Sequence, residues 1–270
     1  MSGIGNWKPT QGTHAIQMAA VGVNFRDPLT SLLLENAEGS VPIGVRELCQ
    51  RNELKELGFL IGPGGQPHQR MQSAGAEYTR RTGPDSLSNR FVLSKNSMRY
   101  EEYEYTRWAS LYQEIELFFS SSYDIFTKAT HVNSIYVEYI DVFVCHPDHN
   151  DSVNLVIDPK SQYVASGAIS DDRFWHTHSG FFESTDGEIR RLHQINIDVS
   201  NAQMTDGLMR VIQVRTFVSD NLNESREGNE NALTLSWIQI AERLTELHKS
   251  TKEDFMKVLT PDAALAISLG

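Results

Sequence analysis

Apolar and polar positions along this chain recur with two periods, and the period changes at turn residues. The run "AIQMAAVGVNF" from Ala15 to Phe25 is apolar enough for a buried strand. "PLTSLLLENA" from Pro28 then predicts a short helix with proline in its first turn. "VRELCQRNELKEL" has the spacing of a further helix, ended by the turn-rich "IGPGGQPHQ" from Ile61 to Gln69. From Ala76 onward "AEYTRR", "RFVLSK" and "MRYEEYEY" read as short strands separated by residues such as Gly83, Pro84 and Asp85, the pattern of an antiparallel meander.

In "TRWASLYQEIELFFSSSYDIF" the apolar residues Trp108, Leu111, Ile115, Phe118, Phe119 and Phe126 fall mostly three and four apart, one face of a long amphipathic helix, with Thr106 as its expected N-cap. "HVNSIYVEYIDVFV" then alternates, with Ile135, Val137, Tyr139 and Asp141 on one face, and predicts a long central strand. The rest of the chain repeats this order. "RFWHTHSGFF", "EIRRLHQINIDV" and "LMRVIQVRTFV" are strand-like, with the turn "STDG" between the first two. A second long helix follows, with a stripe of Trp237, Ile240, Leu244, Leu247 and Phe255. "TPDAALAISLG" offers Thr260 as N-cap and Pro261 as first residue of a short last helix. The expected fold is α+β in two similar halves, residues 1–150 and 151–270. Each half is a mainly antiparallel sheet packed by one long amphipathic helix, and the two pack as one unit.

Composition narrows the function classes. The chain has 270 residues, 40% of them hydrophobic, enough for a real core. Its 24 Lys and Arg against 35 Asp and Glu give a net charge of −11, without the basic clusters that phosphate-tracking surfaces use, so nucleic acid is not the expected partner. No run of eighteen apolar residues predicts a membrane span, and "MSGIGNWKPTQGTHAIQ" lacks the features of a signal peptide, so the expected location is the cytoplasm. The two cysteines, Cys49 and Cys145, are expected to be reduced there.

"YTRW" at Tyr105 to Trp108, the strand with "EYID" at Glu138 to Asp141, and the close "EDFMKVLTPDAA" carry a resemblance. From about Tyr78 onward the order and spacing are similar to a sporadically distributed bacterial family of uncharacterised conserved proteins. That family has a Tyr-x-x-Trp helix start, an Arg-Tyr-Ile-Asn-like strand and a long last helix ending in Leu-Thr-x-Asp/Glu. This chain departs from it at Glu138, where Arg is usual, and at Asp141, where Asn is usual. The resemblance implies an α+β fold and no catalytic residue.

Two clusters have metal-ligand residue types. In "WHTHSGFFESTD" His176 and His178 share one face of a strand and could hold one metal with Asp186. The stretch resembles the ligand set of zinc isopeptidases, but five residues between His178 and Ser184, and one between Ser184 and Asp186, are both shorter than that family's spacing. In "CHPDHND" Cys145 with His149, or His146 with His149, could be half of a zinc site, which His176 with His178 could complete. No Gly-x-Ser-x-Gly, Cys-x-x-Cys, Gly-x-Gly-x-x-Gly or His-Glu-x-x-His is present, and "IGPGGQPHQ" lacks the Lys-Ser/Thr of a phosphate loop. The expected function is therefore non-enzymatic: binding of a macromolecular partner, most simply a protein, in an antitoxin-like or defence-associated role and without a cofactor. Tyr103, Tyr105 and Trp175 are candidate interface anchors, and a homodimer is the prior for assembly. The alternative is a metal-dependent hydrolase using His176 and His178.

Overall fold

The computed structural model describes residues 3–61, 67–84, 86–149, 151–165, 174–185, 189–204, 207–223 and 232–269. The fold is α+β, with a large antiparallel sheet and, among the described residues, five α-helices. The elements run β1 (Lys8–Pro9), β2 (Ile16–Phe25), α1 (Ser31–Ser40), α2 (Ile43–Leu48), β3 (Gln50–Ile61), β4 (Pro67–Gly83), β5 (Ser86–Ser94) and β6 (Ser97–Glu102). Then come α3 (Trp108–Ala129), β7 (Val132–Cys145), β8 (Trp175–Thr185), β9 (Ile189–Met204), β10 (Gly207–Asn221), α4 (Trp237–Met256) and α5 (Pro261–Ala266). Contacts gather in two units, one of residues 1–20, 136–221 and 242–270, the other of residues 21–135 and 222–241. β2, β7 and α4 each contribute to both.

In the unit of residues 21–135 and 222–241 the strand order is β3-β4-β5-β6-β2. Rings from alternate positions of three strands, Tyr78, Phe91 and Tyr100, are fully buried. α3 covers them with Phe118 and Phe119, whose centroids lie 4.9 and 5.6 Å from that of Phe91. The residues α3 buries, among them Leu111, Ile115, Phe118, Phe119 and Phe126, are those its three-and-four spacing predicts. Gly75 sits at φ +142°, beside a register shift in β3–β4, where a Cβ would lie 1.9 Å from the Leu93 carbonyl oxygen. Only glycine fits that bulge.

Three local expectations fail here for identifiable reasons. α1 starts at Ser31 rather than Pro28, because the Leu29 N–H donates to the Lys95 carbonyl and the Thr30 hydroxyl caps the Leu33 N–H. The helical spacing of residues 45–57 holds only to Leu48. From Gln50 the backbone pairs with β4 along its whole length, so the ladder prevails over the local pattern. α3 is entered through Arg107 with no side-chain cap, not through Thr106.

In the other unit the order is β7-β10-β9-β8, with β1 paired to β7. Trp7, Phe143, Ile195, Ile197, Ile212, Val214, Phe255 and Val258 form its core. Thr260 caps α5 as expected, accepting from the Ala263 N–H while donating to the Leu155 carbonyl. Glu138 pairs with Arg215. Tyr139 hydrogen-bonds His248 Nδ1 at 2.9 Å, and burial, with Lys252 and Lys249 nearby, pushes that imidazole down to about 4.

Asp141 is the exception in this core. It is 2% exposed, and among the described residues its Oδ1 has no hydrogen-bond partner. Burial pushes its carboxyl well above the usual carboxylate range. The unfolded chain releases this proton near pH 3.9 while the folded chain keeps it, so stability falls as pH rises between those two pKa values, by about 1.4 kcal/mol per pH unit. Asp141→Asn should remove that slope and raise stability at pH 8 more than at pH 5. Urea unfolding at both pH values checks this, and equal effects would show that Asp141 is ionised in the fold.

Candidate functional site

β8 ends the strand order, and among the described residues its one strand neighbour is β9, paired from Trp175↔Val199 to Thr185↔Ile189. Period-two geometry divides its side chains. Thr177 is buried and Trp175 is half-buried against the core. His176, His178 and Phe182 fall on the other, outward face, with Phe182 53% exposed, and Phe174, just before the strand, is 63% exposed. The Arg190 guanidinium lies 4.2 Å from the Phe182 ring centroid. At the strand's start an open cleft of about 480 Å³ is lined by Phe174, Trp175, His176, Asp198 and Gln213, among others.

The inward side of β8 is fastened by polar bonds and a ring stack. The hydroxyls of Thr177 and Ser179 both donate to the Tyr163 carbonyl, at 3.3 and 3.1 Å. Phe181 lies between Tyr163, at 6.3 Å between centroids, and the His193 ring, parallel to it at 4.6 Å. His193 is buried, and its Nδ1–H donates to Asp254 Oδ2 of α4 at 2.5 Å. The other oxygen of Asp254 accepts from Tyr163 Oη at 3.2 Å and from Lys257 Nζ at 3.1 Å. Glu183, on β8 itself, places a carboxylate oxygen 3.3 Å from His193 Nε2. Burial alone would raise the Asp254 carboxyl, but the bonds from His193 and Lys257 outweigh it and hold the group below the usual range. One strand further in, Arg191 forks onto Asp220, bonding both its oxygens at 2.7 and 3.0 Å.

The residues singled out in the sequence are distributed as follows. His176 and His178 share the exposed outer face, across from Asp198 and Asn196. Asp186 lies outside the described residues. Among the described residues no three His, Cys, Asp or Glu side chains converge as a cation site. The Cys145 thiol is buried and points to the carbonyls of His146 and His149 at 3.6 and 3.8 Å, while the His149 ring meets that of His146 edge-on. Tyr103 is half-buried and donates to Glu101 at 2.6 Å. Tyr105 is buried, so it acts in the fold and not as an exposed anchor. The residues missed are His193, Asp254 and Phe181. The period-two placement of His193 on the same face as Ile195 and Ile197 was the available signal.

Neither a protein-family model, nor a curated protein, nor a solved structure matches this chain.

Removing the Asp254 carboxylate should loosen β8 before anything else. Asp254→Ala leaves the buried His193 Nδ1–H without its acceptor and should cost about 1–3 kcal/mol. Hydrogen exchange should show faster exchange in β8 and β9 and unchanged exchange in α3. Because the Asp254 carboxyl is held low, its contribution is present above about pH 4 and is lost as pH falls further through its folded pKa.

Proposed function

We propose that this chain is a non-enzymatic binding protein that takes an extended segment of a partner protein along the outer edge of β8. One observation carries the reading: β8 is an end strand whose outward face is aromatic and exposed while its inward face is pinned. An end strand directs alternate N–H and C=O groups away from its single neighbour, ready for strand addition, and exposed side chains at alternate positions supply specificity. From His176 to Phe182 the outward positions of β8 span about 20 Å, so the partner segment is about seven residues long with apolar side chains at alternate positions. The opposite end of the strand order supports the choice. β3 carries Arg51, Glu53, Lys55 and Glu56, charges that discourage pairing, whereas β8 carries Glu183 alone.

The net charge of −11 argues against a nucleic-acid partner, and the cytoplasm of a bacterium, in an antitoxin-like or defence-associated role, is the setting that the family resemblance supports. The repeated order of strands and then a long helix supports two similar halves. For the hydrolase alternative no observation adds a third ligand to His176 and His178.

Photo-crosslinking residues placed at 174 and 182 should each capture the same protein in cells, while one at exposed Leu117 of α3 should not. A synthetic peptide of the crosslinked segment should then bind the purified chain and lose about tenfold or more in affinity to Phe182→Glu, at unchanged thermal stability. Crosslinks at 174 and 182 that match those at 117, or a peptide indifferent to Phe182→Glu, sink the proposal. Capture of a second copy of this chain would replace the partner with self-association.

A further inference from the structure

A second concave site lies in the unit of residues 21–135 and 222–241, remote in sequence from β8. Pairing in the β4–β5–β6 meander sets Arg80 opposite Asn89 and Asn89 opposite Glu102, so three polar side chains stand in one row. The row two residues deeper is Tyr78, Phe91 and Tyr100, the aromatic core under α3. The polar row caps that core, and the first turns of α3 lie against it with Ser110 and Glu114. Between them is a cavity of about 210 Å³.

Among the described residues, three polar atoms there are buried without a hydrogen bond. Asn89 is 2% exposed, and its Oδ1 has no partner. Glu114 Oε2 has none either, with Arg80 Nη1 standing off at 3.8 Å, and Arg80 Nε is the third. A buried polar atom without a partner is costly, and several of them around one cavity mark a place where another molecule completes the bonding. The charge is one-sided: Glu102, Glu104 and Glu114 face a single guanidinium, that of Arg80. Glu102 is already engaged, taking the Tyr100 hydroxyl at 2.9 Å and the Glu104 N–H at 3.3 Å. Burial, together with the carboxylates of Glu114 and Glu104, raises its carboxyl, although the bonds from Tyr100 and Glu104 lower it. The free acceptors are thus Glu114 Oε2 and Asn89 Oδ1.

We propose that this cavity binds the head of a small organic cation, an alkylguanidinium or alkylammonium, whose N–H groups donate to Asn89 Oδ1 and the Glu114 carboxylate. The volume is below the usual range for drug-sized ligands and suits a single head group with a short stem. Such a head comes either from a free small molecule or from an arginine or lysine side chain of a bound peptide. The site and its test do not depend on the edge-strand reading.

The test is titration of the full chain with n-butylguanidinium, followed by calorimetry and by shifts in melting temperature. Its neutral isostere n-butylurea is the control. Saturable binding of the guanidinium, with the urea weaker by about tenfold or more, is the expected result, because a charge-assisted bond to Glu114 is lost. Glu114→Gln and Asn89→Leu should each weaken the guanidinium by a similar factor. Their own melting temperatures, measured without ligand, separate lost binding from lost fold. A blocked arginine tripeptide that binds more tightly than butylguanidinium assigns the cation to a partner's side chain, and one that does not bind assigns it to a free small molecule. Equal responses to the cation and the urea, no saturable response to either, or cation binding unchanged in both variants would each overturn the proposal.

Discussion

The structure rests on antiparallel strands that bury alternate side chains against a helix. In β9 the odd-numbered residues Ile189, Arg191, His193, Ile195, Ile197 and Val199 are buried, and the even-numbered residues between them are exposed or half-exposed. A slip of one residue would exchange these two sets, exposing the isoleucines and burying Asp198 and Arg190. The pairing of β9 with β8 and β10 is therefore fixed by burial more than by hydrogen bonds. The outward face of β8 is a consequence of the same rule: once Thr177 is committed inward, His176 and His178 must point away.

That rule also carries charged residues inward, and they are treated in two ways. Arg191 with Asp220, and His193 with Asp254, meet hydrogen-bonding partners of matched geometry on β10 and α4. These contacts tie strands to the helix at fixed points, which apolar contacts alone do less specifically. Asp141 has no such partner and is held by keeping its proton. Asp141 and His248 then act in opposite directions on pH. Raising the pH disfavours the fold through Asp141, and lowering it disfavours the fold through His248, whose imidazole resists the proton that the unfolded chain accepts.

Most of the elements were legible because a single element carries its own period. The stripes of α3 and α4, the alternation of β7 and the Thr260 cap are properties of neighbouring residues. Features that depend on distant residues were not legible. Gln50 begins a strand only because β4 returns beside it, and the Leu29 N–H is held by Lys95, far along the chain. Both candidate sites are of this second kind. Arg80, Asn89 and Glu102 form a row only once two hairpin registers are set, and β4–β5 contains a register shift just past Arg80. His193 and Asp254 come from a strand and a helix with a third strand between them in sequence. His176 and His178 lie two apart in sequence, which made them conspicuous, and among the described residues no third ligand stands near them.

The two ends of the strand order are the most informative contrast for function. A long end strand is a liability, since it offers its backbone to any extended chain, and folds normally blunt it with charge, proline or cover. β3 is blunted by its charged residues. β8 contains no lysine and no proline, and solvent reaches Phe182 on the strand and Phe174 just before it. Among the described residues no strand covers this edge, and an edge left open is unfavourable unless something occupies it. The ring stack of Tyr163, Phe181 and His193 further argues that the strand is held in shape rather than merely tolerated. Side-chain order in place beforehand lowers the entropy cost of adding a strand, so on the proposed reading the buried His193–Asp254 pair would serve the β8 edge as its support.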